Sequence, residues 1–376
     1  MSNKKLKIGF IGGGINSTIG RIHQIACQLD SRWVLETGFF SRDKSTNLKT
    51  SKIYNVKLER IYNSFDIFLE NEIKNIDAIA VLLPTPIRYK YLEILIKKKI
   101  PIISEKPLVS EVKDAIKLKT IMNSDDFIRV TYNYSGYPLV KELKHLIQKN
   151  FFGRIKQIHF EMPQDSFTFK TSKNIKPKKW RLKDSYIPHI SNDLGSHLLS
   201  LTSFLIDEFP IEVMCNYFSN GKFNNLVDNG YFWIKFKSGI NGTFWVSKSS
   251  PGIRNGLKLR IIGEKKSSEW LQTRPEELII YNDDGSVERI DNLTFKLISH
   301  EKKYNRYKVG HPSGFLEAFA NLYYDYADHL QSHMNNKKKR FSSNIYFDLN
   351  NSLNISKFFD AASKSNRLSE WVKIVY

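Results

Sequence analysis

The N-terminal third of the chain alternates short apolar runs with amphipathic stretches. Leu6, Ile8, Phe10 and Ile11, with Gly9 among them, predict a short buried strand. Gly12-Gly13-Gly14-Ile15-Asn16-Ser17 interrupts it, and Ile19, Ile22, Ile25, Ala26 and Leu29 then recur at helical spacing. Trp33 to Phe40 predicts a second strand, which completes one βαβ unit. Residues 76–83 form a near-continuous apolar run of the kind found in a central parallel strand. It ends at Pro84-Thr85-Pro86, before a helix with Tyr89, Leu92 and Ile96 on one side. Lys97 to Lys99 close that helix, where cations suit its dipole. Residues 101–104 predict the next strand, ending in Glu105-Lys106-Pro107, and residues 127–132 a further one. This pattern is a doubly wound parallel sheet of the Rossmann type. The loops at the carboxyl ends of its strands, carrying Pro84, Thr85, Glu105 and Lys106, are expected to form its ligand crevice.

From about Phe151 the pattern changes. Strands are predicted at 155–162, 211–219, 230–237, 240–248, 257–263, 267–271 and 277–281, with Asp283-Asp284-Gly285 as a hairpin turn. One helix near 193–206 interrupts them, and Phe315, Phe319 and Leu322 begin another whose aromatic stripe reads as core. The expected architecture is α/β followed by α+β. Residues 1–133 form the nucleotide-binding domain, and residues 134–376 a mostly antiparallel open sheet flanked by helices, for substrate binding and oligomerisation.

Length and charge change this picture little. The 376 residues agree with two domains, and 41% hydrophobic content supplies their cores. The 58 Lys and Arg against 38 Asp and Glu give a net charge of +20, which raises the question of a nucleic-acid partner. Most of these cations are Lys and they are scattered, whereas base readout leans on Arg forks. The densest run, Lys337, Lys338, Lys339 and Arg340, falls in a predicted surface loop. The excess is therefore read as a solvated face, with no nucleic-acid partner expected. Two cysteines, Cys27 and Cys215, cannot build a disulfide framework and suit a reducing compartment. No stretch approaches the roughly 20 apolar residues of a membrane span. A cytoplasmic protein without a membrane partner is expected.

The glycine cluster carries the first chemical signal. Gly12 and Gly14 occupy the first two positions of a dinucleotide fingerprint, and Ser17 stands at the third. Gly12 permits a tight turn, and Gly14 lets the backbone approach a pyrophosphate at a helix N-terminus, with Ile15 and Asn16 continuing the cradle. A plain glycine-rich turn is the alternative. At the end of the second strand, Ser41 and Arg42 suit a 2′-phosphate and favour NADP, while Asp43 keeps NAD open. In the later helix Asp193 and His197 are four residues apart and share one face, so the acid can orient the ring. A helix cap and a core histidine explain that spacing equally well. His329 and His333 are also four apart but lack a third ligand, so no metal is expected.

These motifs, in this order and spacing, resemble the glucose-fructose oxidoreductase, inositol dehydrogenase and MocA family of NAD(P)-dependent oxidoreductases. The resemblance runs from Gly12-Gly13-Gly14 through Glu105-Lys106-Pro107 to Asp193-Leu194-Gly195-Ser196-His197. Residues 14–20 with His23, and the late Gly310-His311-Pro312-Ser313-Gly314-Phe315 segment, look like a carbohydrate-oxidising branch with levoglucosan- and inositol-type dehydrogenases. The resemblance implies that Lys106 lies near the nicotinamide and the reacting hydroxyl, and that Asp193 and His197 line the substrate pocket. It also implies that Trp180-Arg181 lies near the cofactor and that the protein is a homodimer or homotetramer. His197 is then the base, Lys106 an electrostatic partner and proton relay, and Asp193 the orienter of Lys106 or His197. The substrate is a sugar, polyol or sugar derivative. A non-catalytic dinucleotide-binding regulator on the same fold is the alternative. One departure concerns the substrate: Tyr186-Ile187-Pro188-His189-Ile190-Ser191-Asn192 stands where family members often carry a glycine-rich run. His189 either adds a hydrogen bond in the substrate pocket or, as the simpler reading, is a surface residue, and His311 is read as part of a loop over the substrate.

Overall fold

A computed structural model of the protein describes residues 5–168, 179–292, 301–308, 310–335 and 347–376. The basic run 337–340 lies outside them. The chain divides into two compact units, Met1–Val109 with Lys113–Gly136 and Gly314–Ser352, and Ser110–Val112 with Tyr137–Ser313 and Leu353–Tyr376.

The first unit is built on five parallel strands. In chain order these are β1 (Leu6–Gly12), β2 (Trp33–Phe39), β3 (Ala78–Leu82), β4 (Ile102–Ser104) and β5 (Ile128–Val130), arranged β2-β1-β3-β4-β5. The order reverses at β1, so a ligand crevice is expected at the carboxyl ends of β1 and β3. The connecting helices are α1 (Gly20–Leu29), α2 (Lys44–Tyr54), α3 (Phe65–Glu72), α4 (Thr85–Lys97) and α5 (Val112–Ile121). Ile8, Phe10, Ala78 and Ala80 are fully buried, as expected of strands covered on both faces.

The second unit contains α6 (Pro138–Gln148), β6 (Ile155–Pro163), α7 (Ser196–Ile206), β7 (Glu212–Phe218), β8 (Asn229–Lys235) and β9 (Asn241–Ser247). It continues with β10 (Lys258–Gly263), β11 (Lys266–Leu271), β12 (Arg274–Asn282) and β13 (Val287–Ile290). Helices α8 (Phe315–Met334) and α9 (Leu349–Leu368) and strand β14 (Val372–Lys373) end the chain. Among the described residues the nine strands run β13-β12-β11-β10-β6-β9-β8-β7-β14, with β6 and β9 paired in parallel and their other neighbours antiparallel. Alternation along β8 buries Phe232 and Ile234 while Tyr231 and Trp233 stay 40% and 43% exposed. Phe232 and Phe244 meet Phe358 of α9 on the buried side. The Asp283-Asp284-Gly285 turn joins β12 to β13, with Gly285 at φ +85°.

Helix α8 groups with the first unit, although the boundary expected at residue 133 put it with the second. The cause is its apolar stripe. Phe319, Leu322, Tyr323, Tyr326 and Leu330 are buried in the same core cluster as Phe10, Ala26 and Trp33. Trp33 Nε1 donates to the Tyr323 carbonyl at 2.8 Å, and the Tyr326 hydroxyl donates to the Val130 carbonyl at 2.8 Å. Phe315 departs from the expected stripe: it is 37% exposed and only edges onto the Phe319 ring. Among the described residues no helix is long and apolar enough to cross a membrane.

Candidate active site

The glycine turn is shaped by backbone conformation. Gly12 and Gly13 adopt φ +77° and +73°, where side chains are rarely tolerated. The Gly13 carbonyl accepts from the Tyr54 hydroxyl at 2.8 Å, which ties the turn to α2. A Cβ on Gly20 would lie 1.9 Å from the Gly13 carbonyl oxygen. The small residue required for close approach at the start of α1 is therefore Gly20, and Ser17 has a different part. Its amide donates to the Gly14 carbonyl at 2.8 Å, and its Oγ accepts from the Gly20 amide at 3.1 Å. The Ile15 amide and the Asn16 side chain bond Thr50 Oγ1 and Thr46 Oγ1, each at 3.3 Å. No acidic residue occupies the first turn of α1. Two positive-φ glycines leading into a helix N-terminus that carries no acidic side chain fit a pyrophosphate.

Beyond β2 the polar residues are partly committed. Asp43 caps α2, accepting from the Thr46 amide at 2.7 Å, Thr46 Oγ1 at 2.6 Å and Ser45 Oγ at 2.8 Å. The Thr46 and Ser45 hydroxyls hold its carboxyl down at about 2. Ser41 Oγ accepts from the Asp43 amide at 3.1 Å, and Arg42 is exposed.

The loop after β4 is held from behind. Pro84 immediately precedes α4 and Thr85 begins it. The Glu105 carboxylate is buried and accepts from Thr131 Oγ1 at 2.6 Å. Its Oε1 also lies 3.1 Å from His23 Nε2, and His23 Nδ1 lies 2.8 Å from the Tyr323 hydroxyl. Burial alone would raise the Glu105 carboxyl. The His23 hydrogen bond, the His23 and Lys106 charges and the Thr131 bond outweigh it and hold the group below its usual value. Lys106 thus follows a fixed, ionised carboxylate, at a cis Lys106–Pro107 peptide.

The second unit carries the other candidate residues. Trp180 and Arg181 lie in a 3-10 turn, Lys179–Leu182. Asp193 lies in a π-helical turn, Ser191–Gly195, that leads directly into α7. Such turns are frequent at functional sites. A Cβ on Gly195 would meet the Phe359 ring at 2.7 Å, so the motif needs glycine there. Asp193 Oδ2 accepts from Lys248 Nζ at 2.6 Å, with His189 Nε2 at 3.8 Å and Arg181 Nη1 at 4.0 Å. Lys248 is 3% exposed and stands over the Phe167 ring. His189 is not the surface residue expected from sequence: its side chain is 14% exposed beside Asp193. His197 is buried on α7 and His311 is exposed.

Several of these residues were not legible beforehand. In the sequence His23 stands out only as part of a motif, and Tyr323 and Lys248 carry no pattern that marks them. A histidine on the helix that opens at the glycine turn was the available signal for the first. Elsewhere, His329 Nδ1 accepts from Arg129 Nε at 3.1 Å, and no group of three potential metal ligands occurs among the described residues. Cys27 and Cys215 are buried, and burial pushes both thiols up.

A positive-φ glycine cradle at the switch point of a five-stranded parallel sheet defines a dinucleotide-binding domain, followed here by an open-sheet domain. The family model described as "Oxidoreductase family, NAD-binding Rossmann fold" matches residues 6–134, and that for the GFO/IDH/MocA C-terminal domain matches 140–269. The chain belongs to the GFO/IDH/MocA family and is an NAD-binding oxidoreductase. It is 23% identical over 386 residues to the uncharacterized oxidoreductase YfiI of Bacillus subtilis, covering 99% of this chain and 97% of that one. An inositol dehydrogenase homolog from Azotobacter vinelandii, solved with NADH and myo-inositol, is 25% identical with a TM-score of 0.89, over 98% of this chain and 97% of its own. Levoglucosan dehydrogenase in complex with NADH and levoglucosan shares the fold, with a TM-score of 0.83 at 16% identity, over 99% and 100% of the two chains.

Proposed function

We propose that the protein oxidises a secondary alcohol of a sugar, an inositol-like polyol or a sugar derivative, or reduces the matching ketone. The observation that carries this reading is the Asp-x-Gly-x-His motif, built on a π turn with its carboxylate fixed by a buried lysine. A module that only senses a nucleotide has no need of that arrangement. The similarity to an inositol dehydrogenase homolog supports the substrate class.

The Gly12–Ser17 turn with Pro84 and Thr85 would hold NAD(P)+, which would supply the hydride acceptor, and Trp180 and Arg181 would belong to the same cofactor site. His197, the imidazole of the Asp-x-Gly-x-His motif, takes the hydroxyl proton as general base. Lys106 stabilises the developing alkoxide and relays the proton. Asp193, held by Lys248, orients the substrate-facing groups. Ser41 and Arg42 receive the cofactor ribose and favour a 2′-phosphate. The exposed Tyr231 and Trp233 face suits self-association into a homodimer or homotetramer, and a monomer on sizing would contradict that. The test of function is a panel of polyols, sugars and sugar nucleotides with NAD+ and NADP+, followed at the reduced-nicotinamide absorbance. Turnover of at least one pair is expected. Cofactor binding without any turnover would favour a regulator.

A further inference from the structure

Arg88 is a buried cation on the first turn of α4, 3% exposed. Its guanidinium is directed almost wholly at main-chain carbonyls. Nε and Nη2 donate to the Leu83 carbonyl at 3.1 and 2.7 Å. Nη1 donates to the carbonyls of Glu105 and Pro107, the residues on either side of Lys106. One side chain therefore joins the carboxyl end of β3 to the loop after β4. Burial pulls Arg88 down to about 10, against the charges of Glu105 and Tyr132, so it remains a full cation at neutral pH.

This arrangement is costly as a way to fill space. A buried charge loses its hydration, a cost comparable to what its hydrogen bonds return, and an apolar residue of similar size would fill the space without that loss. The planar fork has one property that an apolar side chain or a lysine lacks: it fixes several carbonyls in a set mutual geometry. Those carbonyls belong to the two loops at the nucleotide crevice.

We propose that Arg88 is a positioning residue, which locks the Glu105-Lys106-Pro107 loop against the end of β3 and so shapes the crevice for the cofactor. The inference deepens the function proposed above, since it rests on that loop facing the nicotinamide. It assigns work to a helix residue that no motif marks.

The test is an NADH fluorescence titration of the full chain as wild type, Arg88→Ala and Arg88→Lys, each first shown to melt cooperatively. Arg88→Ala is expected to bind NADH about tenfold more weakly, and Arg88→Lys to fall between it and wild type. Millimolar guanidinium ion is expected to restore most of the affinity of Arg88→Ala and to leave wild type unchanged. Loss of packing alone would not be repaired by a free cation. Wild-type affinity in both variants overturns the proposal, as does a loss that guanidinium does not repair in a variant with a wild-type melt. Should Arg88→Ala fail to fold, Arg88→Lys decides: weaker binding supports the proposal, and wild-type affinity overturns it. NADH binding is readable without a known substrate, so failure of this inference is separate from failure of the catalytic reading.

Discussion

Nζ of Lys248 lies 2.6 Å from Oδ2 of Asp193, and the lysine side chain is 3% exposed against 18% for the aspartate. Lys248 sits one residue beyond β9 and Asp193 on the π turn before α7, so the pair pins the candidate motif to the sheet beneath it. Removing one member of such a pair strands the other charge in a poorly hydrated place.

Lys248→Met is therefore expected to lose about 1–3 kcal/mol of stability and to lower turnover, while Lys248→Arg keeps much of both. In Asp193→Asn the same Lys248→Met change costs less, because the carboxylate is already gone. Urea unfolding of the four members of this cycle measures the coupling. Additive costs would show that Lys248 acts only through packing on Phe167.

A second prediction concerns acid. The Glu105 carboxyl sits below its usual 4.5 in the folded protein, so its share of stability is complete above that pH and is lost as pH falls through the folded value. His23→Gln removes the imidazole bond and charge that hold it down. The acid-unfolding midpoint then moves up, and stability at pH 7 falls by about 1–3 kcal/mol. Circular dichroism across an acid titration reads this directly, and an unchanged midpoint would break the assigned link between His23 and Glu105.

The cofactor phosphate is decided at the β2–α2 turn. Arg42→Ala is expected to weaken NADPH binding about tenfold and to leave NADH within about twofold. Equal losses for both nucleotides, or none, would remove Arg42 from the ribose site and return the choice to Asp43, whose Oδ2 already caps α2.

Gly20 gives a sharper structural test than Ser17. With 1.9 Å between a new Cβ and the Gly13 carbonyl oxygen, Gly20→Ala has to move the backbone of the turn. A loss of about 1–3 kcal/mol and of NADH binding is expected, whereas Ser17→Ala, which removes one hydrogen bond to the Gly20 amide, costs about 1 kcal/mol or less. Thermal melts with and without NADH distinguish the two.

Both sheets were legible in the sequence because their signals are local: apolar runs near 76–83 and 101–104, and period-two strands from 211 to 281. The glycine turn and the two later motifs were legible for the same reason. What escaped prediction depends on contacts far along the chain. Helix α8 joins the first core through Trp33 and Val130, nearly 200 or more residues away, which no periodicity reveals. Helix α9 is rich in Asn and Ser, and its buried face rests on few apolar residues such as Phe358 and Phe359. Lys248 is one lysine among many in a Lys-rich chain, and the Glu105 and Pro107 carbonyls that single out Arg88 lie 17 and 19 residues along the chain. Gly20 belongs to the 14–20 motif, but the simple fingerprint puts its third position at Ser17, because this turn runs longer.

The most direct measurement is NAD(P)+-dependent oxidation of a polyol and sugar panel by wild type, Lys106→Ala and His197→Ala. Turnover of at least one secondary alcohol by wild type is predicted, with a loss of about 100-fold or more in each variant. Full turnover in either variant, with NADH binding intact, would contradict the assignment of the reaction to Lys106 and His197.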